Sequence, residues 1–144
     1  MNVVNADDIA VRVWRELRSL VLDRADRRRE VSAELGVSFA MAKALRVLAD
    51  EGPLCLGDIA SRLVTDAPYA TLLVEGLVKR GYALRTSDPA DRRRKRVHLT
   101  DAGMEAAATA TRILDTPPDP LRALSEAELR DLDRILDRIR EAGS

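Results

Sequence analysis

The chain has 144 residues, of which 46% are hydrophobic and 33% charged, and its cationic and anionic side chains balance to a formal net charge of +0. That composition excludes a disordered chain, and no apolar run approaches the roughly 18 residues that a membrane span needs. The length predicts one domain over residues 1–144, with a core of Leu, Val, Ile and Ala because aromatics make up only 3%.

The opening stretch "MNVVNADDIA" has no basic start and no continuous apolar segment, so no signal peptide is expected. Residues Asn5 to about Arg29 read as a helix. Asn5 is a candidate N-cap, Asp7 and Asp8 lie in the first turn, and Ile9, Val13, Leu17, Leu20 and Val21 recur at helical spacing beside Trp14. A second helix is predicted from Ser38 to about Ala49, with Ala42, Leu45 and Leu48 on one face. Gly52 and Pro53 end it. Leu54-Cys55 reads as a short extended piece, followed by a short helix to about Leu63. From about Ala67 to Arg80 the pattern is helical again, capped by Asp66, with Pro68 tolerated in the first turn and Leu73, Val74 and Leu77 facing a core.

After Gly81 the period changes from helical to alternating. "YALRT" and "KRVHLT" predict two strands joined by "SDPADRR". Thr100 caps a further helix that ends before "TPPDP", and Ser125 with Glu128 forms a capping box for a last helix striped by Leu129, Leu132, Ile135, Leu136 and Ile139. The predicted fold is therefore mainly α with a small β-hairpin. Its central part is a winged helix-turn-helix: two short helices joined by a tight turn, then a hairpin wing.

The neutral average hides a division of charge. Lys79 to Arg96 holds eight cations against Asp88 and Asp91, a net +6, whereas Asp115 to Glu141 holds eight acids and five arginines, a net −3. Five adjacent cations, Arg92, Arg93, Arg94, Lys95 and Arg96, repel one another unless something anionic compensates. Strand alternation would send Arg92, Arg94 and Arg96 to one side and Arg93 and Lys95 to the other. A hairpin tip that projects Arg can enter a DNA minor groove, and each phosphate neutralised makes binding salt-dependent. A solvated charged face is the alternative.

The run "DPADRRRKRVHLTDAG" resembles the wing signature of MarR-type transcriptional regulators, with Asp88, Pro89, Asp91, Arg92, Arg93, Val97, Leu99, Thr100 and Gly103 in place. Upstream, "GDIASRL" and "LLVEGLVKRGYALR" resemble that family's third helix and recognition helix. The resemblance implies a DNA-binding lobe over about 36–100 and dimerisation helices over about 5–30 and 101–142. It further implies a homodimer on a palindromic double-stranded operator, acting as a repressor of a nearby gene. Recognition helices would enter successive major grooves and wings the flanking minor grooves. Carried onto this chain, Arg93 would be the minor-groove residue and Asp91 its buttress, accepting charge-assisted hydrogen bonds from a nearby Arg. Thr65, Pro68, Tyr69, Thr71 and Lys79 would serve the recognition helix.

The family's effectors are small aromatic or phenolic ligands, for which Trp14, Phe39, Lys43 and Arg46 are the candidates. Ordinary core packing is the alternative for Trp14 and Phe39. The stripes of the first and last helices are either a dimer seam or intramolecular core. Three departures stand out: Leu72 where a basic residue is frequent, Gly76 where an arginine is common, and Cys55 where Thr or Ser usually caps the third helix. Between Asp66 and Val78 there is no Arg, Lys, Asn or Gln, the usual bidentate readers of guanine and adenine. The protein then either leans on its wing and on DNA shape, binds DNA weakly, or has become a winged-helix module for another protein.

Cys55, the one cysteine, makes no internal disulfide, and with no signal peptide a cytoplasmic location is expected. It is either an oxidant sensor or an inert thiol. Lone His98 is expected at the surface. With only Cys55 and His98 as strong sulfur or nitrogen ligands, no metal or cofactor is expected, and no catalytic grouping points to an enzyme.

Overall fold

A computed structural model describes residues 5–143. The chain runs α1 (Ala6–Ser19), a π-helical turn (Leu20–Arg24), α2 (Arg28–Leu35), α3 (Phe39–Glu51), β1 (Leu54–Cys55), α4 (Leu56–Leu63) and α5 (Ala67–Lys79). It continues with β2 (Ala83–Ser87), β3 (Lys95–Leu99), α6 (Asp101–Leu114), the single-turn α7 (Asp119–Arg122) and α8 (Glu126–Ala142). Met1–Val4, part of the stretch in which no signal peptide is visible, lie outside the described residues. Among those described, no helix is long and apolar enough to cross a membrane, and no group of three or more His, Cys, Asp or Glu is placed to hold a metal.

Asp66, Thr100 and Ser125 cap their helices through their side chains as expected, and Ser38, at the expected start of its helix, also caps it. Ser38 accepts from the Met41 N–H at 3.2 Å, Asp66 from Tyr69 at 2.8 Å and Thr100 from Gly103 at 3.1 Å. Ser125 and Glu128 exchange reciprocal hydrogen bonds at 2.8 and 3.3 Å. Each bond satisfies an N–H that the helix cannot satisfy internally.

The first predicted helix is a correction. It does not run to Arg29: the helix widens into the π turn, closed by the Ala25 N–H on the Leu20 carbonyl at 2.9 Å, and stops at Ala25. Asp26 then takes the Arg28 backbone N–H at 2.9 Å and the Arg28 guanidinium at 2.9 and 2.7 Å. That side-chain and backbone bonding to Arg28, with its positive charge, holds the Asp26 carboxyl down at about 2. A short acidic side chain has here outcompeted the helical backbone for its neighbour's N–H. The new helix, α2, buries only Val31.

Helices α2, α3 and α6 pack together, α5 lies against α3 and α4, and the three-stranded antiparallel sheet, in order β1-β3-β2, closes the lobe. Leu45, Ile59, Val74, Leu77, Val97 and Val31 are its largest fully buried side chains. Gly76 faces this packing: a Cβ there would stand 2.7 Å from the Met41 Cε. The glycine therefore leaves room for the end of the Met41 side chain.

Helices α1 and α8 contribute nothing to this core, since neither contains a buried residue. Ile9, Val13, Trp14 and Val21 along the first, and Leu129, Ile135, Leu136 and Ile139 along the last, are exposed. Among the described residues, both striped helices thus leave much of their apolar faces exposed, with Leu17, Leu20 and Leu132 half-buried.

Candidate nucleic-acid interface

Two neighbouring features build the surface: the helix-turn-helix α4–α5 and the wing β2–β3. The turn between the helices rests on Val64, which adopts left-handed backbone angles (φ 53°, ψ 54°). The Thr65 N–H returns to the Ala60 carbonyl at 3.0 Å, which seals the end of α4. A β-branched residue in this region is strained by about 1–2 kcal/mol. Val64 is also 91% exposed, so it gains no burial in return.

A cleft of 220 Å³ lies against this turn, lined by Ala40, Lys43, Leu63, Val64, Thr65, Tyr69 and Leu73. Pro68 and Tyr69 are exposed at the start of α5, and Lys79 is exposed at its end. Thr71 donates its hydroxyl to the Ala67 carbonyl at 3.0 Å, which leaves its methyl as the distinctive outward group. Leu72 is 62% exposed.

In the wing, Ser87 pairs with Lys95, and residues 88–94 form the tip. Arg92 to Arg94 are therefore turn residues, and the expected alternation of all five cations along a strand does not occur. The Arg94 N–H closes the turn on the Asp91 carbonyl at 2.9 Å, and the Asp88 N–H reaches the Arg94 carbonyl at 2.9 Å. Asp91 shapes this tip differently from the expected buttress. Its carboxylate accepts the backbone N–H of Arg93 at 3.0 Å, not a guanidinium.

The acid that meets a guanidinium is Asp88, at 6% exposure the one buried charged side chain among the described residues. Its Oδ1 accepts the Ala90 N–H at 3.0 Å, and its Oδ2 lies 3.4 Å from the Arg96 Nε and 4.0 Å from the Cys55 Sγ. Sequence reasoning missed this cluster because it depends on the pairing of Cys55 with Arg96 between β1 and β3, across 41 positions of sequence. The Ala90 N–H above all, helped by the charges of Arg96 and Arg94, holds the Asp88 carboxyl below its ordinary value against the opposing effect of burial.

The five cations consequently divide. Lys95 donates to the Ser87 hydroxyl at 3.2 Å and Arg96 is held by Asp88. Arg92, Arg93 and Arg94 are exposed, and their side chains have no hydrogen bond or ion pair among the described residues. His98, expected at the surface, is half-buried, with its Nε2 2.6 Å from the Thr86 hydroxyl.

A test of the Asp88 clamp follows. Asp88→Ala is expected to release the tip, seen as faster amide exchange at Ala90 and Arg94, whereas Asp88→Asn keeps an acceptor and retains part of the protection. Unchanged exchange in both variants would refute the clamp. A carboxyl whose folded value is lowered stabilises the fold fully above its ordinary range, and this stabilisation is lost as pH falls through the lowered value. The difference in thermal stability between wild type and Asp88→Asn should therefore shrink below about pH 4.

The expected effector residues have different surroundings. Lys43 lines the cleft at the helix-turn-helix, which includes neither Trp14, Phe39 nor Arg46. Arg46 donates its Nε to the Thr111 hydroxyl at 3.1 Å and so ties α3 to α6. Phe39 is half-buried, while Trp14 is 64% exposed on α1, which overturns core packing for the tryptophan.

The model of the MarR family matches residues 40–95, from α3 to the start of β3. By sequence, the chain is 35% identical over 74 residues to the uncharacterized HTH-type transcriptional regulator YkoM of Bacillus subtilis (strain 168), which covers 51% of this chain and 48% of that protein. The chain thus spans about half the length of such relatives. In three dimensions it resembles a MarR family protein from Bacillus stearothermophilus with a TM-score of 0.83 at 19% identity, covering 96% and 97% of the two chains. It also resembles a mutant MarR from E. coli complexed with operator DNA, with a TM-score of 0.67 at 18% identity, covering 94% and 98%. At these identities the structural likeness speaks for the fold alone. The wing motif and the family model agree over residues 40–95, where the chain is similar to the MarR family, and its fold is shared along nearly the whole length of the compared structures.

Proposed function

We propose that this protein is a homodimeric, sequence-specific double-stranded DNA-binding transcriptional regulator, acting as a repressor of a nearby gene. The observation that carries the proposal is the wing tip, where Arg92, Arg93 and Arg94 are exposed with no hydrogen bond or ion pair among the described residues, beside an exposed recognition helix. Three unpaired guanidiniums on a turn braced by Asp91 and Asp88 suit a narrow minor groove, where negative potential is concentrated. Lys43, expected in an effector pocket, stands beside Thr65 and Tyr69 and is better employed against a phosphate. The uncovered faces of α1 and α8 support the homodimer, because a second copy of the same two helices would bury them. The fold of the MarR protein complexed with operator DNA supports the same mode of binding. Release by a small aromatic ligand remains part of the proposal on the family resemblance, with exposed Trp14 as the residue whose fluorescence would report it.

Anisotropy titration of the full chain on DNA from its own upstream region, at two salt concentrations, tests the proposal. Nanomolar, sequence-dependent binding that weakens steeply with salt is expected. Weak binding that is equal on scrambled DNA would refute it and favour the protein-binding module that the uncharged recognition helix also suits.

A further inference from the structure

The recognition helix lacks the side chains that read guanine and adenine, yet its outward surface is built rather than empty. Tyr69 and Leu72 are exposed along α5, and Val64 projects from the turn that precedes it. Val64 and Tyr69 border one cleft together with Thr65. Thr71 has already committed its hydroxyl to the Ala67 carbonyl. The carboxylate of Asp66 is engaged in the same way, by the Tyr69 N–H. What α5 presents between its cap and Lys79 is mostly methyl and ring surface, with the Tyr69 hydroxyl as a polar group and Glu75 as its one charged side chain.

An exposed aliphatic patch does not interact with phosphates. In the major groove, however, one base-pair feature is apolar: the C5-methyl of thymine. The cations that draw a duplex to this face lie around the patch, with Lys43 at the cleft, Lys79 at the far end of α5 and the three free arginines on the wing. The left-handed backbone at Val64 closes the end of α4, but its 91% exposed side chain gains no burial in the free protein and would gain it if covered on binding.

We propose that α5 reads its half-site through thymine methyl groups, with Leu72, Val64 and Tyr69 as the specificity-determining contacts, while the cations at its margins supply the attraction to the backbone. This inference rests on the DNA-binding function proposed above and specifies how the sequence is recognised.

The test uses the full chain and the tightest-binding duplex selected from a random pool, in which thymidines of the half-sites are expected to be prominent. Replacing those thymidines with deoxyuridine removes the methyls and keeps the base pairing and the phosphates. Each contacted methyl is expected to contribute about fourfold in affinity, so one per half-site of a palindrome gives about 15-fold in all. Leu72 is exposed, so Leu72→Ala leaves the fold intact, and it should reduce the discrimination of thymidine from uridine towards unity while salt-dependent binding persists. If wild type binds the two duplexes equally but still prefers both to scrambled DNA, methyl reading is overturned and the regulator function stands. If neither duplex is preferred to scrambled DNA, both fall together.

Discussion

Replacing Arg93 with alanine is expected to weaken operator binding about 100-fold, with little change in thermal stability. The side chain is exposed and has no hydrogen-bond or ion-pair partner among the described residues, so its removal is expected to cost the fold nothing measurable. Its backbone N–H remains on Asp91, so the tip keeps its shape. A lost contact of this kind costs about 1–3 kcal/mol, and a homodimer loses it once in each wing. The slope of affinity against salt should also become shallower. Arg122→Ala provides the control, because Arg122 lies on α7 with its Nε on the Pro117 carbonyl at 3.2 Å, away from the wing. Equal effects of the two substitutions in an anisotropy titration would show that the wing is not the contact. A loss in Arg96→Ala accompanied by lower stability would fit the division of the wing, since Arg96 is already engaged by Asp88.

Gly103→Ala is expected to be the most damaging small substitution for the fold. A Cβ on Gly103 would lie 2.0 Å from the Tyr82 carbonyl oxygen and 2.9 Å from its carbon. The obstacle is backbone, held in place by the Thr100 N–H on the same oxygen at 3.0 Å, so no side chain can swing aside. Either α6 or the start of the wing must move, and the Thr100 cap moves with them. Overpacking costs about 1–3 kcal/mol where side chains can adjust and more where they cannot. A fall in melting temperature of about 6–12 °C is expected for a chain of this size, measured at a fixed protein concentration because association would contribute to stability. An unchanged melting temperature would show that this close approach does not constrain the fold. The glycine at the end of the wing motif thus has a packing reason: it allows α6, which leads away from the wing, to start directly against the Tyr82 carbonyl.

Much of this molecule is decided by interactions a few residues apart, and those were legible in the amino-acid sequence. The caps Ser38, Asp66, Thr100 and Ser125 bind N–H groups three residues on, so their effect needs no knowledge of the rest of the chain. The order of the central helices and strands, the change of period after Gly81 and the concentration of positive charge in the wing have the same local origin. The break at Ala25 was not legible, because neither Gly nor Pro marks it and α2 has too few apolar positions to show a period. It arises from the choice of Asp26 to bind the Arg28 N–H, which competes closely with continued helix.

Only the tertiary structure decided what long-range contacts control. The pairing of β1 with β3 placed Asp88 beside Arg96 and Cys55, withdrew Arg96 from the free cations and left three arginines at the tip. Which elements surround α3 decided the roles of its cations: Lys43 lines the helix-turn-helix cleft, while Arg46, one turn further on, donates to Thr111 of α6. The stripes on α1 and α8 were visible as periodicity, but a period shows only that a helix has an apolar face. Whether that face is covered depends on which elements meet it, and among the described residues none buries it fully.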